Sequence, residues 1–546
     1  MILISNKQYP GYTDSKGDYF LKYSSNVYIK QKKNHLLLFE GWLYPDISAS
    51  KEDLFNHFIL KKKDFPYQKF KGKYSGVYIN LETKKVIIFN DQLGIKDLFY
   101  YVNKNYLLVS TSFSQLINTL DLSEKDIDVE ALNEFITFEH PLYHKTFIKN
   151  AKALPLASMY TIVNGTVTKK SYWNYELREN KGISSDEIIE RLDKIVDHAM
   201  YRIKEAYGSK KVYGLGLSGG MDSKVVAFYA KKNSMRLKTF IFGEENSDAY
   251  HIADKIAKQL SLDHKELGIH NNFFAYMDES IEFNPMMNVL YVWYYSIYEY
   301  LPQFDVLLTG FNGDNSFGSH IITTKRQDNR SITKKIINKY ANKKYKINFQ
   351  KLEKFISKTP GNTINKTETF NYLFRQLQFI KNNPAFNFLG QYQGESPFED
   401  IDFVEFILTI PSKHKKDLTI YKELQKQKMS SLGKIRPERK FSYRSKTINR
   451  ILDILRYLDT KVLNTNIFFY KSHKNIKTWL KGNSLFYKLI KKEIKESNDL
   501  FKKIYPEVNL KKQADNIYRG AYSSQKINLF FRYITIHMFI KRFLHD

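Results

Sequence analysis

Along residues 1–175 the apolar positions fall into short runs, among them Asn34–Phe39, Gly76–Asn80, Val86–Phe89 and Tyr106–Ser110, separated by turn-forming residues. Runs of this length bounded by Gly, Asn, Asp and Lys predict strands. Two stretches, Lys51–Leu60 and Val129–Thr137, space their apolar residues as helices do. Met159–Val163 and Val167–Tyr172 meet at Asn164-Gly165, a dipeptide suited to a two-residue hairpin turn because both positions tolerate positive φ. The polar stretch Glu176–Ser185 predicts a linker, and a helix is predicted over Ser185–Glu205. Beyond it the pattern changes to strand Val212–Leu217, helix from Asp222, strand Leu237–Phe242, helix Asp248–Leu260 and strand Val306–Thr309. Such alternation predicts a doubly wound, parallel α/β sheet. From about Arg330 onward the chain reads mostly helical and basic, with no internal repeat.

Composition narrows the chemistry. At 546 residues and 42% hydrophobic, the chain can form two to four domains with substantial cores. No segment reaches the roughly 18 consecutive apolar residues of a membrane span, and Met1–Tyr9 is too short and polar for a secretory signal, so a soluble, cytoplasmic protein is expected. The absence of cysteine excludes disulfides, thiolate metal sites and a cysteine nucleophile. The net charge of +29 comes from Lys spread along the chain, denser at Lys325–Lys346 and Lys471–Lys503. It reads as solvated lysine faces rather than a nucleic-acid footprint. The 13 His show no metal-binding spacing.

The sharpest local signal is Ser218-Gly219-Gly220-Met221-Asp222-Ser223, which follows an apolar strand and opens a helix. Glycines let the backbone approach an anion, free N–H groups at a helix start point toward it, and the two serine hydroxyls add donors. Asp222 would repel phosphate unless a cation lay between them, which makes it a candidate Mg²⁺ ligand. The G-K-[ST] ending of a Walker A loop is missing.

The loop resembles the signature of PP-loop ATP pyrophosphatases, and the chain from about residue 35 to residue 445 resembles class B asparagine synthetases and their β-lactam synthetase and lasso-peptide cyclase relatives. Lys69–Val77 and Phe89–Tyr101 are similar to that family's glutamine amidotransferase domain, and Leu154-Pro155 and Tyr172-Trp173 to its end. Leu237–Gly243 resembles the strand whose tip approaches adenine, and Thr309–Gly318 the S-G-E-G-A-D-E-x-F-G-G loop. Ser396–Val404 resembles the P-F-L-D segment, and Lys422 with Arg436–Phe441 the basic stretch after it.

The resemblance implies an Ntn-hydrolase-like αββα amidotransferase domain over 1–178, a PP-loop ATP pyrophosphatase domain over 186–450, and a basic helical extension over 451–546. It implies ATP contacts at Leu217, Ser218, Gly219, Gly220, Met221, Asp222, Ser223, Phe242, Thr309 and Gly310, with Mg²⁺ on Asp222 and Asp314. Lys422, Arg439 and Lys440 are candidates to balance charge at the α-phosphate. A carboxylate would be adenylated and then attacked by ammonia or another amine. A homodimer is an expectation from relatives alone.

Several positions depart from the family. Ile2 stands where glutamine-hydrolysing members have their nucleophilic Cys, and Glu40-Gly41-Trp42 where they have N-G-E, so no glutaminase activity is expected. Phe311 replaces a Glu thought to handle the amine proton, Asn315 replaces an acidic residue, and Glu438 stands where a Lys is usual. Glu395, just before the Pro-Phe segment, is a candidate replacement base. The expectation is therefore an AMP-forming amide ligase acting on a small-molecule or peptide carboxylate and an amine. The alternatives are an asparagine synthase in the strict sense (aspartate plus ammonia), a PP-loop RNA-modifying enzyme, and a non-catalytic nucleotide-binding scaffold.

Overall fold

A computed structural model gives the fold. It describes residues 1–8, 11–60, 65–245, 247–269, 273–322, 326–340, 347–382, 392, 394–429, 432–435, 475–495 and 499–544. Arg439 and Lys440 lie outside the described residues.

The first 171 residues form two six-stranded antiparallel sheets. One runs in the order Ala151–Ala153, Phe99–Val102, Leu107–Ser110, Ile2–Ser5, Tyr19–Tyr23, Asp14–Lys16; the other runs Thr166–Ser171, Ser158–Val163, Lys85–Asn90, Gly72–Asn80, His35–Leu43, Tyr28–Lys32. Strand alternation explains how the sheets pack. Leu36 and Leu38 join Ile2, Ile4, Val77, Ile79, Ile88 and Val109 in a core shared by both sheets. Their neighbours Leu37 and Phe39 face the other way, onto Leu54, Phe55 and Phe58 of helix Lys51–Ile59. Ser50 and Asp53 close that helix with a reciprocal capping box. The hairpin falls where the sequence places it. Val163 pairs with Thr166 across Asn164 (φ 46°) and Gly165 (φ 75°), the positive angles that a two-residue turn needs.

Helix Ser185–Tyr207, capped by Ser184, leads into a five-stranded parallel sheet. Its order is Asp263–Gly268, Arg236–Gly243, Val212–Gly216, Val306–Leu308, Gly394–Glu395. The edge strand Asp263–Gly268 alternates few apolar residues and gave no clear sequence signal. Strand order reverses beside Val212–Gly216, so a crevice opens at the carboxyl ends of Val212–Gly216 and Val306–Leu308.

Helices Ile476–Leu480, Ser484–Lys495, Asp499–Ile504, Leu510–Tyr518 and Ser524–Phe543 share one core with Leu132 and Phe135 of the N-terminal half and with Val289, Val292 and Trp293. Lys488, Lys491, Lys492 and Lys495 face solvent, while Phe486 and Ile490 on the same helix are buried. Helix Ser524–Phe543 is buried on nearly every side. Among the described residues no helix is long and apolar enough to cross a membrane.

Buried charges join the two halves. Lys73 Nζ lies 2.6 Å from Glu395 and 2.9 Å from Glu399. Tyr207 Oη and Trp42 Nε1 also donate to Glu395, at 2.7 and 3.3 Å. Arg202 bridges Asp46 at 2.8 Å and Asp400 at 3.0 Å.

Candidate active site

The loop between strand Val212–Gly216 and helix Met221–Lys232 is held by its own serines. Ser223 Oγ accepts the Ser218 N–H at 3.0 Å and donates to the Ser218 carbonyl at 3.2 Å, while Ser218 Oγ accepts the Gly220 N–H at 3.2 Å. Leu217 N–H donates to the Phe240 carbonyl at 2.7 Å, which fixes the loop to the neighbouring strand. Gly220 is the N-cap and supplies no side-chain cap, so the first N–H groups of the helix stay available to an anion.

Asp222 sits in the first turn, half-buried and packed closely against the loop that follows strand Val306–Leu308. A Cβ added at Gly310 would stand 2.7 Å from the Ser223 nitrogen, and one at Gly313 would stand 2.4 Å from Asp222 Oδ1. Only glycine permits this approach. Gly313→Ala should therefore cost about 1–3 kcal/mol of stability, the usual range for overpacking. Urea denaturation would measure it, and an unchanged midpoint would mean the two loops do not pack this closely.

Tyr421 Oη donates to Asp222 Oδ1 at 2.8 Å. Burial pushes the Asp222 carboxyl well above its ordinary range, and the neighbouring Asp314 carboxylate pushes it further; a hydrogen bond from the Asp314 backbone N–H opposes both. Two repelling carboxylates in one cleft suit a cation. Among the described residues no group of three or more metal-binding side chains occurs. The pair therefore fits Mg²⁺ arriving with phosphate oxygens, since that ion commonly takes only one or two carboxylates from the protein.

These loops form one side of a cavity of about 630 Å³. Its other side was not foreseen from the sequence. Glu139 and His140 reach it from the N-terminal half, at the end of helix Val129–Phe138, and Arg375 from the turn Tyr372–Gln376. Glu139 takes a positive φ of 68°. It pairs with Arg532 at 3.1 Å and accepts from Asn288 at 3.3 Å. Although burial alone would raise it, Arg532 and Arg375 hold its carboxyl down at about 2. Phe311 stacks on Phe379 with centroids 4.9 Å apart, and Tyr291 meets Phe379 edge-on at 5.3 Å.

His140 gives this region a pH signature. Burial, with Arg375 and Arg532 adding to it, lowers its pKa to about 3, and burial lowers the nearby His144 to about 4. Below the ordinary histidine pKa of about 6.5 the unfolded chain takes up protons that the folded chain refuses. Their stabilisation is complete above about pH 6.5 and is lost as pH falls toward the folded values, approaching about 1.4 kcal/mol per pH unit for each residue. Unfolding free energy should drop between about pH 7 and pH 5, and His140→Asn should flatten the drop. An identical slope in the variant would refute this.

Of the residues proposed from sequence, Leu217, Ser218, Gly220, Met221, Asp222, Ser223, Phe242, Thr309, Gly310 and Asp314 all line the cavity. Gly219 belongs to the same loop without lining it. Glu395 is not brought there, since its carboxylate is committed to Lys73, Tyr207 and Trp42. Lys422 also does not line it and donates to the Asp417 carbonyl at 2.9 Å. Lys224 is a cation that sequence reading passed over. It is buried one turn along the phosphate-loop helix, donates to the Ile435 carbonyl at 3.0 Å, and is lowered to about 8 by burial. In the N-terminal half Glu40 is tied to the Met1 ammonium at 3.1 Å and to Thr111 at 2.7 Å. Asp91 accepts the backbone N–H groups of Tyr74 and Leu93 at 3.0 and 2.9 Å, a structural role.

Two family models match separate parts of the chain. The family model for asparagine synthase matches residues 202–376, and that for the glutamine amidotransferase domain matches residues 51–173. Asparagine synthetase (glutamine-hydrolyzing) 1 of Bacillus subtilis strain 168 is 27% identical over 212 residues, covering 38% of this chain and 32% of that protein. Asparagine synthetase (glutamine-hydrolyzing) 2 of the same strain is 27% identical over 286 residues, covering 48% of this chain and 38% of that protein. A third relative, putative asparagine synthetase (glutamine-hydrolyzing) 2 of Methanocaldococcus jannaschii, is 25% identical over 265 residues, covering 44% of this chain and 48% of that protein. The chain thus spans between about a third and a half of the length of the curated relatives it matches.

Proposed function

Because this chain belongs to the asparagine synthetase family, we propose that it is an ATP-dependent carbon–nitrogen ligase that forms AMP and pyrophosphate. The observation that carries this is the neighbouring pair Asp222 and Asp314 lining the cavity beside the Ser218–Ser223 loop, at the switch point of a parallel sheet. In this reading residues 186–450 hold a PP-loop ATP site. The N–H groups opening helix Met221–Lys232, with the Ser218 hydroxyl, hold the pyrophosphate portion of ATP. Mg²⁺, held between Asp222 and Asp314, would supply positive charge against the leaving pyrophosphate. A substrate carboxylate oxygen bonds to the α-phosphorus as the bond to pyrophosphate breaks. An amine nitrogen then bonds to the acyl carbon and AMP leaves, giving the amide. Arg439 and Lys440 are proposed to balance charge on the α-phosphate.

Residues 1–178 are proposed to be an Ntn-hydrolase-like αββα amidotransferase domain without glutaminase activity. Ile2 is fully buried in a strand where a nucleophile would be required, and Glu40 is occupied within the protein. The partners proposed are a small-molecule or peptide carboxylate and an amine, in the cytoplasm. A nucleotide-binding scaffold is the second reading. It is favoured by Phe311, which puts an aromatic ring packed on Phe379 where the resemblance calls for a proton acceptor.

Pyrophosphate and AMP would be measured with Mg²⁺, ATP, a panel of carboxylates including aspartate, and ammonium or glutamine as donor. Stoichiometric AMP and pyrophosphate with ammonium, and none with glutamine, is the expected result. ADP and phosphate as products would overturn the ligase, and ATP binding without turnover on any acid would favour the scaffold.

A further inference from the structure

The cavity also holds polar groups that the adenylation chemistry does not use. Glu139 is spent within the protein, on Arg532, Asn288 and Tyr291. Arg375 forms no ion pair with a carboxylate among the described residues, although its charge also acts on Glu139. Its guanidinium lies 3.8 Å from the centroid of the Tyr340 ring, and its buried Nε–H has no hydrogen-bond partner among the described residues. His140, 6% exposed, also presents a buried Nδ1 with no hydrogen-bond partner among the described residues. Asn312 is 1% exposed, takes a positive φ of 71°, and among the described residues has neither side-chain oxygen nor nitrogen hydrogen-bonded. Buried polar atoms are nearly always paired, so three such groups lining one cavity point to a ligand that pairs them. The same cavity is lined by an aromatic pair, Phe311 and Phe379, stacked on each other with centroids 4.9 Å apart and an interplanar angle of 17°.

We propose that these cavity-lining residues form the recognition subsite for the acid substrate. A carboxylic acid with an aromatic body lies against Phe311 and Phe379 and sets a second, non-reacting anionic group on Arg375. The proposal rests on the ligase reading for the fate of the other carboxylate but not for the binding itself. Arg375 suits a planar anion because its donors are arranged in a fork that matches a carboxylate. Asn312 and His140 then supply hydrogen bonds beside the ring. A short aliphatic acid would leave the aromatic wall uncovered, and an aromatic acid with one carboxylate would leave Arg375 unpaired.

Titration calorimetry on the full chain, with and without α,β-methylene ATP and Mg²⁺, would use terephthalate, benzoate and succinate as probes. Terephthalate should bind at least about tenfold tighter than either, the ratio expected of one charge-assisted hydrogen bond. Arg375→Gln should reduce terephthalate to the affinity of benzoate, and Arg375→Lys, which keeps charge but not the fork, should fall between. Phe311→Glu should remove the preference for the ring. Unchanged thermal unfolding of each variant would show that folding is intact. Succinate binding as tightly as terephthalate, or an Arg375→Gln variant with an unaltered ratio, would overturn the subsite. If the nucleotide analogue does not bind but the acids follow this pattern, the ATP reading fails and the subsite stands. If the analogue binds and the acids show no such pattern, the subsite alone fails.

Discussion

Asp222→Asn should reduce pyrophosphate formation by at least about a thousandfold while making the ligand-free protein harder to unfold. Both effects have one cause. Asp222 and Asp314 repel one another in one cleft, and burial already disfavours the charge on Asp222. Asparagine removes the repulsion, and its amide oxygen can still accept from Tyr421, which now donates to Oδ1 at 2.8 Å. A gain on the order of 1 kcal/mol is expected, as where a site keeps a strained arrangement for function. The loss of activity follows because metal-borne charge stabilisation amounts to several kcal/mol in a transition state. Parallel assays of thermal unfolding and pyrophosphate release would decide it. A variant that is less stable and still active would contradict the assignment of this carboxylate.

Lys73→Met should destabilise the protein by about 3–5 kcal/mol, the usual result of stripping one partner from a buried ion cluster. Lys73 is almost fully buried between Glu395 and Glu399, so its loss leaves two carboxylates in a dry interface. Burial already raises Glu399, with Lys73 opposing. Without that lysine the Glu399 carboxyl, already raised by burial, must protonate to remain buried, so the deficit should shrink as pH falls toward the ordinary Glu value of about 4.3 and grow above it. Combining Lys73→Met with Glu395→Gln and Glu399→Gln should recover most of the loss, because no isolated charge remains. Chemical denaturation at two pH values tests both statements. A pH-independent deficit would place the lysine's contribution in packing rather than charge.

The contrast between foreseen and unforeseen residues follows from range along the chain. The phosphate loop was legible because strand, glycines, serines and helix start are contiguous, and physics acts on them locally. Asp314 was legible through the resemblance of its loop. Arg375, Glu139 and His140 come from segments more than 200 residues apart, and no local pattern marks a side chain that meets another element across a cavity. Glu395 illustrates the converse. Its nearness in sequence to the Pro-Phe segment suggested a base, yet in the short strand Gly394–Glu395 its side chain turns to Lys73. Lys422 was displaced by a single position. Tyr421 reaches Asp222, and the next residue of a helix is rotated by about 100° away from it. The helices after residue 475 read as a basic extension because lysines dominate their exposed faces, while their buried faces complete a core begun by the first 150 residues.

That shared core has a consequence for synthesis. Helix Val129–Phe138 packs against helix Ser524–Phe543, whose Arg532 also supplies the partner of Glu139. Nearly 390 residues separate them. At ribosomal rates of roughly 5–20 residues per second, the earlier helix waits about 20–80 s for the surface that covers it. During that interval apolar side chains such as Leu132, Phe135 and Phe147 lack part of their packing. The nascent N-terminal half is therefore a natural client for chaperones. A premature stop before Ser524 would yield a sticky fragment rather than a shorter functional protein.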